Sequence, residues 1–140
     1  MSDLKNIVIA YDGSDASTRA LERAAALARA FGSQLIVTSV APVTTNIGRS
    51  AGPVDATDPP ETHYAELEDA RRYLEGQSLT ADFVPAIGHP AETIAQVAEE
   101  READLVVIGT GERNILERLL GQSVSGAVAH RVHCDVLIVH

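Results

Sequence analysis

Five short runs rich in β-branched and aliphatic residues alternate with segments of three- and four-residue apolar spacing, and this alternation is what most limits how the chain can fold. Asn6–Asp12 (NIVIAYD), Gln34–Ala41 (QLIVTSVA), Thr80–Ile87, Ala103–Ile108 (ADLVVI) and Asp135–Val139 (DVLIV) read as strands. The first is a mostly apolar run bounded by Gly13, the pattern of a strand buried on both faces. Between them, Asp15–Phe31, Glu61–Gln77, Pro90 to about Glu102, and about Gln122 to Val132 read as helices. In the first helix Ala16, Ala20, Leu21, Ala24, Leu27, Ala28 and Phe31 form the apolar stripe, Ser14 or Asp15 can cap its start, and Gly32 stops it. In the second, Tyr64, Leu67, Tyr73 and Leu74 are the buried candidates. Pro90 suits the first position of its helix, where the N–H it lacks would have had no partner. Strands separated by helices imply right-handed crossovers and an open, mostly parallel five-stranded α/β sheet with helices on both faces, in one domain spanning residues 1–140.

Charge and residue counts exclude several functions. The 140 residues carry 20 Asp and Glu against 11 Lys and Arg, a net charge of -9, which disfavours nonspecific nucleic-acid binding. Only one basic residue is a lysine, Lys5, so the lysine-dependent G-x-x-x-x-G-K-[ST] phosphate loop is absent and a phosphoacceptor receiver domain is disfavoured. Cys134 is alone, which rules out an internal disulfide framework and a cysteine zinc site within one chain. No apolar run approaches the roughly 20 residues that cross a bilayer, and the N-terminus lacks the features of a signal peptide, so a soluble cytoplasmic protein without membrane contact is expected.

In sheets of this kind ligands sit beyond the strand carboxyl ends, where the strand order reverses. That points to Ala10, Tyr11 and Asp12 after the first strand and to the segment opening at Gly109 after the fourth. The segment Gly109–Val124 reads GTGERNILERLLGQSV; its glycines either admit a ligand to the backbone, with helix-start N–H groups for phosphate oxygens, or simply permit a tight turn. Asp12 is equally suited to accepting the turn N–H groups of Gly13 and Ser14. Residues 42–60, with four prolines and two glycines, form a long loop that is either functional, as a lid or binding loop, or poorly ordered. His130 and His133 beside Cys134 read as helix-end residues favoured by the dipole, and His89 as a solvated turn residue. No nucleophile, base or paired carboxylate stands in a catalytic pattern, so no enzyme is expected. An uncovered apolar edge such as DVLIV invites aggregation, and pairing two copies through Val136, Leu137, Ile138 and Val139 about a two-fold axis removes the hazard.

Three blocks, IVIAYDGSDAS, GHPAETIAQVAEEREADLVVIGT and LLGQSVSGAVAHRVHCDVLIV, occur in order and together resemble the universal stress protein family over the whole chain except residues 42–60. The resemblance implies an adenine nucleotide alpha hydrolase-like fold with strand order 3-2-1-4-5 and a homodimer formed through the last strand. In one branch it further implies ATP held by a G-x2-G-x9-G-[ST] segment. By that likeness Ala10 and Val40 would line the adenine pocket, Asp12 would meet the adenosine, and Ile108 would also belong to the nucleotide site. Gly109, Gly111, Gly121, Gln122, Ser123 and Val124 would offer backbone N–H groups and one hydroxyl to phosphate and ribose. The motif is altered here: counted from Gly109, Glu112 and Gln122 stand at the second and third glycine positions, while Gly111 and Gly121 keep the nine-residue spacing one place earlier. Glu112 would crowd a triphosphate unless Mg or Arg113 and Arg118 compensate. From Gly109 to His133 three arginines face two glutamates, so the excess acid lies elsewhere in the chain. The expectation is a regulator that binds ATP or a related adenine nucleotide and signals to a protein partner. The alternatives are a dimeric interaction module without nucleotide and, more weakly, a hydrolase of the related fold. Bulky residues at Gly109 and Ser123 are expected to abolish binding and spare folding.

Overall fold

The computed structural model describes residues 4–41, 60–110 and 124–140. Five strands, β1 (Asn6–Ala10), β2 (Gln34–Ala41), β3 (Ala81–Ile87), β4 (Leu105–Gly109) and β5 (Asp135–Val139), form one sheet in the order β3-β2-β1-β4-β5. All four pairings are parallel. The helices α1 (Asp15–Phe31), α2 (Pro60–Gly76), α3 (Pro90–Glu100) and α4 (Val124–Arg131) connect them. The α/β class, the expected strand order and the helices on both faces are all observed, with element ends shifted by a few residues.

Alternate residues of each central strand enter different cores. Ile7, Ile9, Leu35, Val37, Leu105 and Val107 pack under α1 and α2 with Ala20, Leu21, Ala24, Leu67, Ala70 and Leu74. Val8, Ile36, Val106 and Ile108 pack under α3 and α4 with Ile94, Val97, Ala98 and Val128. This is why the strands read as continuous apolar runs: both parities are removed from water, each large aliphatic side chain contributing about 1.5–3 kcal/mol on burial. Two stripe residues depart from expectation. Phe31 is exposed just before the left-handed turn at Gly32, and Tyr64, in the first turns of α2, is also exposed, so that Ala70 completes the buried stripe instead.

Hydrogen bonding explains where the elements stop. The Tyr11 N–H still donates to the Thr38 carbonyl at 2.9 Å, but the Asp12 N–H turns to Ser17 Oγ at 3.2 Å, so β1 ends before the apolar run does. At the other end of the sheet, Asp104 Oδ2 accepts the Lys5 and Asn6 N–H groups at 2.8 and 2.9 Å. The Ala103 N–H is spent on the Ala98 carbonyl, so β4 begins only at Leu105. Three helices close on left-handed residues, of which only the first is a glycine: Gly32, Ser78 (φ 59°) and Glu102 (φ 51°). In each case the next N–H reaches back five residues, from Ser33 to Ala28, Leu79 to Leu74 and Ala103 to Ala98. Among the described residues, β5 pairs with β4 alone, and no helix is long and apolar enough to cross a membrane.

Glu102 stores removable strain, because a side chain in the left-handed region costs about 1–2 kcal/mol. Its carboxylate also adds to Glu99 and Glu100 at a helix end that favours cations. Among the described residues its partners are met by main-chain atoms: the Glu102 carbonyl accepts from Asn6 Nδ2 at 3.2 Å and its N–H donates to the Glu99 carbonyl at 3.1 Å. Glu102→Gly is therefore expected to stabilise the protein by about 1 kcal/mol and raise Tm by roughly 3–5 °C in thermal unfolding. An unchanged or lower Tm would contradict the assignment of strain.

Candidate functional site

The carboxyl ends of β1, β2 and β4 converge on the turn between β1 and α1. Ser14 is the N-cap of α1: its Oγ accepts the Ser17 N–H at 3.1 Å, resolving the choice between Ser14 and Asp15. Asp12 lies just before the cap, and its Oδ1 accepts the Ser14 N–H at 3.0 Å. The turn-stabilising role read from the sequence is thus present, and Asp12 Oδ1 carries it. Ser17 Oγ accepts from the Asp12 N–H and donates to the Ser14 carbonyl at 3.1 Å, and Thr18 Oγ1 donates to the same carbonyl at 2.9 Å. The turn is therefore pinned from within by four side chains.

Of the candidate pocket residues, Ala10, Val40 and Ile108 share the sheet face covered by α3 and α4. Ile108 is buried, while Ala10 and Val40 are half-buried at the strand ends. The register puts Ala10 beside Thr38, two residues before Val40 on the same side of β2. Thr38 is fully buried, its hydroxyl donating to the Val84 carbonyl at 2.8 Å. Val124 opens α4. Gly111, Arg113, Gly121, Gln122 and Ser123, with Glu112 and Arg118, lie outside the described residues, as does the loop over residues 42–59.

Gly109 has a role that the sequence reading did not give it. A Cβ built there would stand 2.5 Å from the carbonyl carbon and 3.0 Å from the Cβ of Ala16, and nearer still to the Ala16 carbonyl oxygen. What its missing side chain admits is the first turn of α1. A bulky residue at Gly109 therefore disturbs the fold, and the expectation that it would spare folding is corrected. The next residue, Thr110, ties this end to β5: its N–H donates to the Val139 carbonyl at 2.9 Å and its Oγ1 lies 3.3 Å from His140 Nδ1. Arg19 of α1 reaches the His140 carbonyl with Nε at 3.1 Å.

On the face covered by α1 and α2, the fully buried Ser39 donates its hydroxyl to Glu66 Oε1 at 2.8 Å. Tyr11 is buried nearby, and burial above all raises its phenol beyond the ordinary range; the charges of Asp69, Glu66 and Asp12 add to this, and a hydrogen bond with Thr18 opposes it. Sequence reasoning missed the Ser39–Glu66 pair. The traces available were Thr38 and Ser39, two hydroxyls inside an otherwise apolar strand, and Glu66 beside the first residue of the buried stripe of α2.

His130, Arg131, His133 and Cys134 lie at the opposite end of the sheet. His130 and Arg131 occupy the last turn of α4, where cations suit the dipole. A cleft of about 150 Å³ between α3 and α4 is lined by Ala98, Glu102, Ala103, Arg131, His133 and Cys134. It opens where β4 and β5 begin, remote from the converging carboxyl ends. The Cys134 thiol is pushed up, chiefly by burial, which keeps it protonated near neutral pH. Among the described residues no group of three or more His, Cys, Asp or Glu side chains is arranged to hold a metal ion. His89 is the exposed N-cap residue of α3, without a side-chain cap hydrogen bond.

Comparison with known proteins gives the geometry a context. The model of the universal stress protein family matches residues 3–140. The universal stress protein Rv1636 of Mycobacterium tuberculosis strain H37Rv is 36% identical over 149 aligned positions, covering 100% of this chain and 99% of that protein. A crystal structure of a universal stress protein in complex with cAMP is 34% identical, covers 99% of both chains and superposes with a TM-score of 0.75. The universal stress protein from Archaeoglobus fulgidus in complex with dAMP, 22% identical and covering 100% of both chains, shares the fold at a TM-score of 0.69.

The packing role of Gly109 is testable without any ligand. Gly109→Ala is expected to lower stability by about 2–3 kcal/mol in chemical denaturation, because the added methyl meets backbone that cannot rotate away. Unchanged ligand-free stability would return Gly109 to a role toward ligand alone.

Proposed function

The chain belongs to the universal stress protein family, and on that premise we propose that it is a stress-response regulator that binds ATP or a related adenine nucleotide at the ends of β1 and β4. The observation that carries this reading is the cAMP complex of a universal stress protein 34% identical over essentially the whole chain. The described geometry is compatible with it. Ala10, Val40 and Ile108 offer apolar surface on one sheet face, suited to a planar base. Asp12 Oδ1 is engaged by the turn, which leaves the second carboxylate oxygen as the acceptor suited to base or ribose donors. Phosphate would be taken by the segment running from Gly109 through Gly111, Gly121, Gln122 and Ser123 to Val124. Mg²⁺ or Arg113 would offset the charge of Glu112 when the ligand is a triphosphate.

In this proposal binding is the output. Occupancy changes the surface presented to a protein partner, and hydrolysis is slow and incidental, since the sequence places no general base or acid in a catalytic pattern. The protein acts in the cytoplasm as a homodimer paired along β5, whose outer edge is free of other strands among the described residues. Glu112 and Gln122 at motif glycine positions favour a second reading, a dimeric interaction module that binds no nucleotide.

Calorimetric titration of the purified protein with ATP, ATP plus Mg²⁺, AMP and cAMP separates the two. Saturable binding of at least one, with a Kd below about 1 mM, is expected. Mg²⁺ should improve ATP more than cAMP if Glu112 opposes the triphosphate. No saturable binding by any of the four would overturn the nucleotide reading, and a monomer in sedimentation would overturn the dimer.

A further inference from the structure

The β1–α1 turn is pinned from within by Asp12, Ser14, Ser17 and Thr18, and Glu66 of another element stands beside it. Glu66 stands on α2 one residue before Leu67, where the buried stripe of that helix begins. Its Oε1 accepts the hydroxyl proton of Ser39, which is fully buried at the end of β2. The rest of the side chain lies near the turn: a Cβ at Gly13 would be in ordinary contact with it, 3.6 Å from Glu66 Cγ and 3.7 Å from Oε2. Gly13 has φ 80°, a conformation that holds Asp12 and Ser14 on either side of a sharp bend. One carboxylate thus fastens α2 to β2 through a charge-assisted hydrogen bond and stands beside the turn.

We propose that Glu66 is a positioning residue: it sets the place of the Asp12–Gly13–Ser14 turn, and through that turn the fit of the ligand. Its ligand consequence rests on the nucleotide reading above; its structural premise does not. The Ser39 hydroxyl is one anchor of the carboxylate, and the carboxylate limits outward movement of Gly13. Loss of either partner loosens the same bend, so their effects are not additive. Because α2 begins at Pro60, directly after residues 42–59, a shift of α2 changes the turn by the same route.

The test uses Glu66→Ala, Glu66→Gln, Ser39→Ala and the double variant Glu66→Ala/Ser39→Ala. Two readouts are measured: amide hydrogen exchange of residues 12–17 in the ligand-free protein, and the Kd for whichever nucleotide the wild type binds. Glu66→Ala should speed exchange at Ser14 and Ser17 and weaken binding by about tenfold. Ser39→Ala should act in the same direction, with the double variant no worse than Glu66→Ala. Gln at position 66 keeps both the acceptor and the bulk beside the turn, and should recover most of the protection and affinity. Exchange is compared with that of central β1 amides, so general destabilisation is recognised by a rise in both. Unchanged exchange at Ser14 and Ser17 in Glu66→Ala overturns the proposal whether or not a nucleotide binds. Unchanged affinity in Glu66→Ala with a nucleotide-binding wild type overturns its ligand part, as does Glu66→Gln behaving like Glu66→Ala. A wild type that binds no nucleotide contradicts the nucleotide reading alone, and the exchange comparison still decides the role of Glu66.

Discussion

Ala16 lies against Gly109, so the first turn of α1 rests directly on the end of β4. This contact crosses the middle of the sheet, from the helix that follows β1 to the strand beside β1 in space. Parallel strands need both faces covered, and the covering helices must start close to the sheet or water would reach the strand ends. A glycine at the end of β4 allows that approach, and its consequences spread outward. Ser14 caps α1 over the sheet, Asp12 folds back onto the cap, and Thr110 is left to join β5. The candidate site is therefore the opening left between elements that converge because Gly109 has no side chain.

Much of the architecture was legible because two-sided burial writes itself into sequence. Both parities of β1, β2 and β4 had to be apolar, and they appear as runs such as IVI, LIV and LVVI that only a covered parallel sheet accommodates. Helix limits were legible where punctuation was chemical, at Ser14, Gly32 and Pro90. They were less so where Ser78 and Glu102 adopt left-handed conformations that nothing in their residue type announces. Phe31 and Tyr64 satisfied helical spacing yet face solvent, since spacing names a face of a helix and not what lies opposite each turn.

The site divides in the same way. Ala10, Val40 and Ile108 could be assigned to one face because strand parity fixes it once the register is known. Asp12 could be assigned to the turn because its neighbours demand an acceptor. Gly109 was singled out for a ligand or a tight turn, but what its missing side chain admits is a helix that precedes it by more than ninety residues, a contact local spacing does not reveal. The Ser39–Glu66 bond is of the same kind: each residue alone reads as a polar interruption, and their partnership exists only after β2 and α2 have packed.

The charge pattern also gives the opening a direction. The α1 N-terminus, ordinarily attractive to anions, is engaged by the Ser14 hydroxyl and flanked by Asp12 and Asp15, while Glu66 stands near Gly13. Those carboxylates repel phosphate and suit groups that donate hydrogen bonds, such as an exocyclic amine or a ribose hydroxyl. Under the proposed function the nucleoside end of the ligand then belongs at β1 and β2. The phosphate end belongs beyond Gly109, toward the start of α4, in the segment where Arg113 and Arg118 balance Glu112 and Glu117. A chain with one lysine and a net charge of -9 can hold a small anion in this arrangement because its acid is concentrated away from that segment. Backbone N–H groups and a helix terminus there would supply the positive end without a cationic pocket.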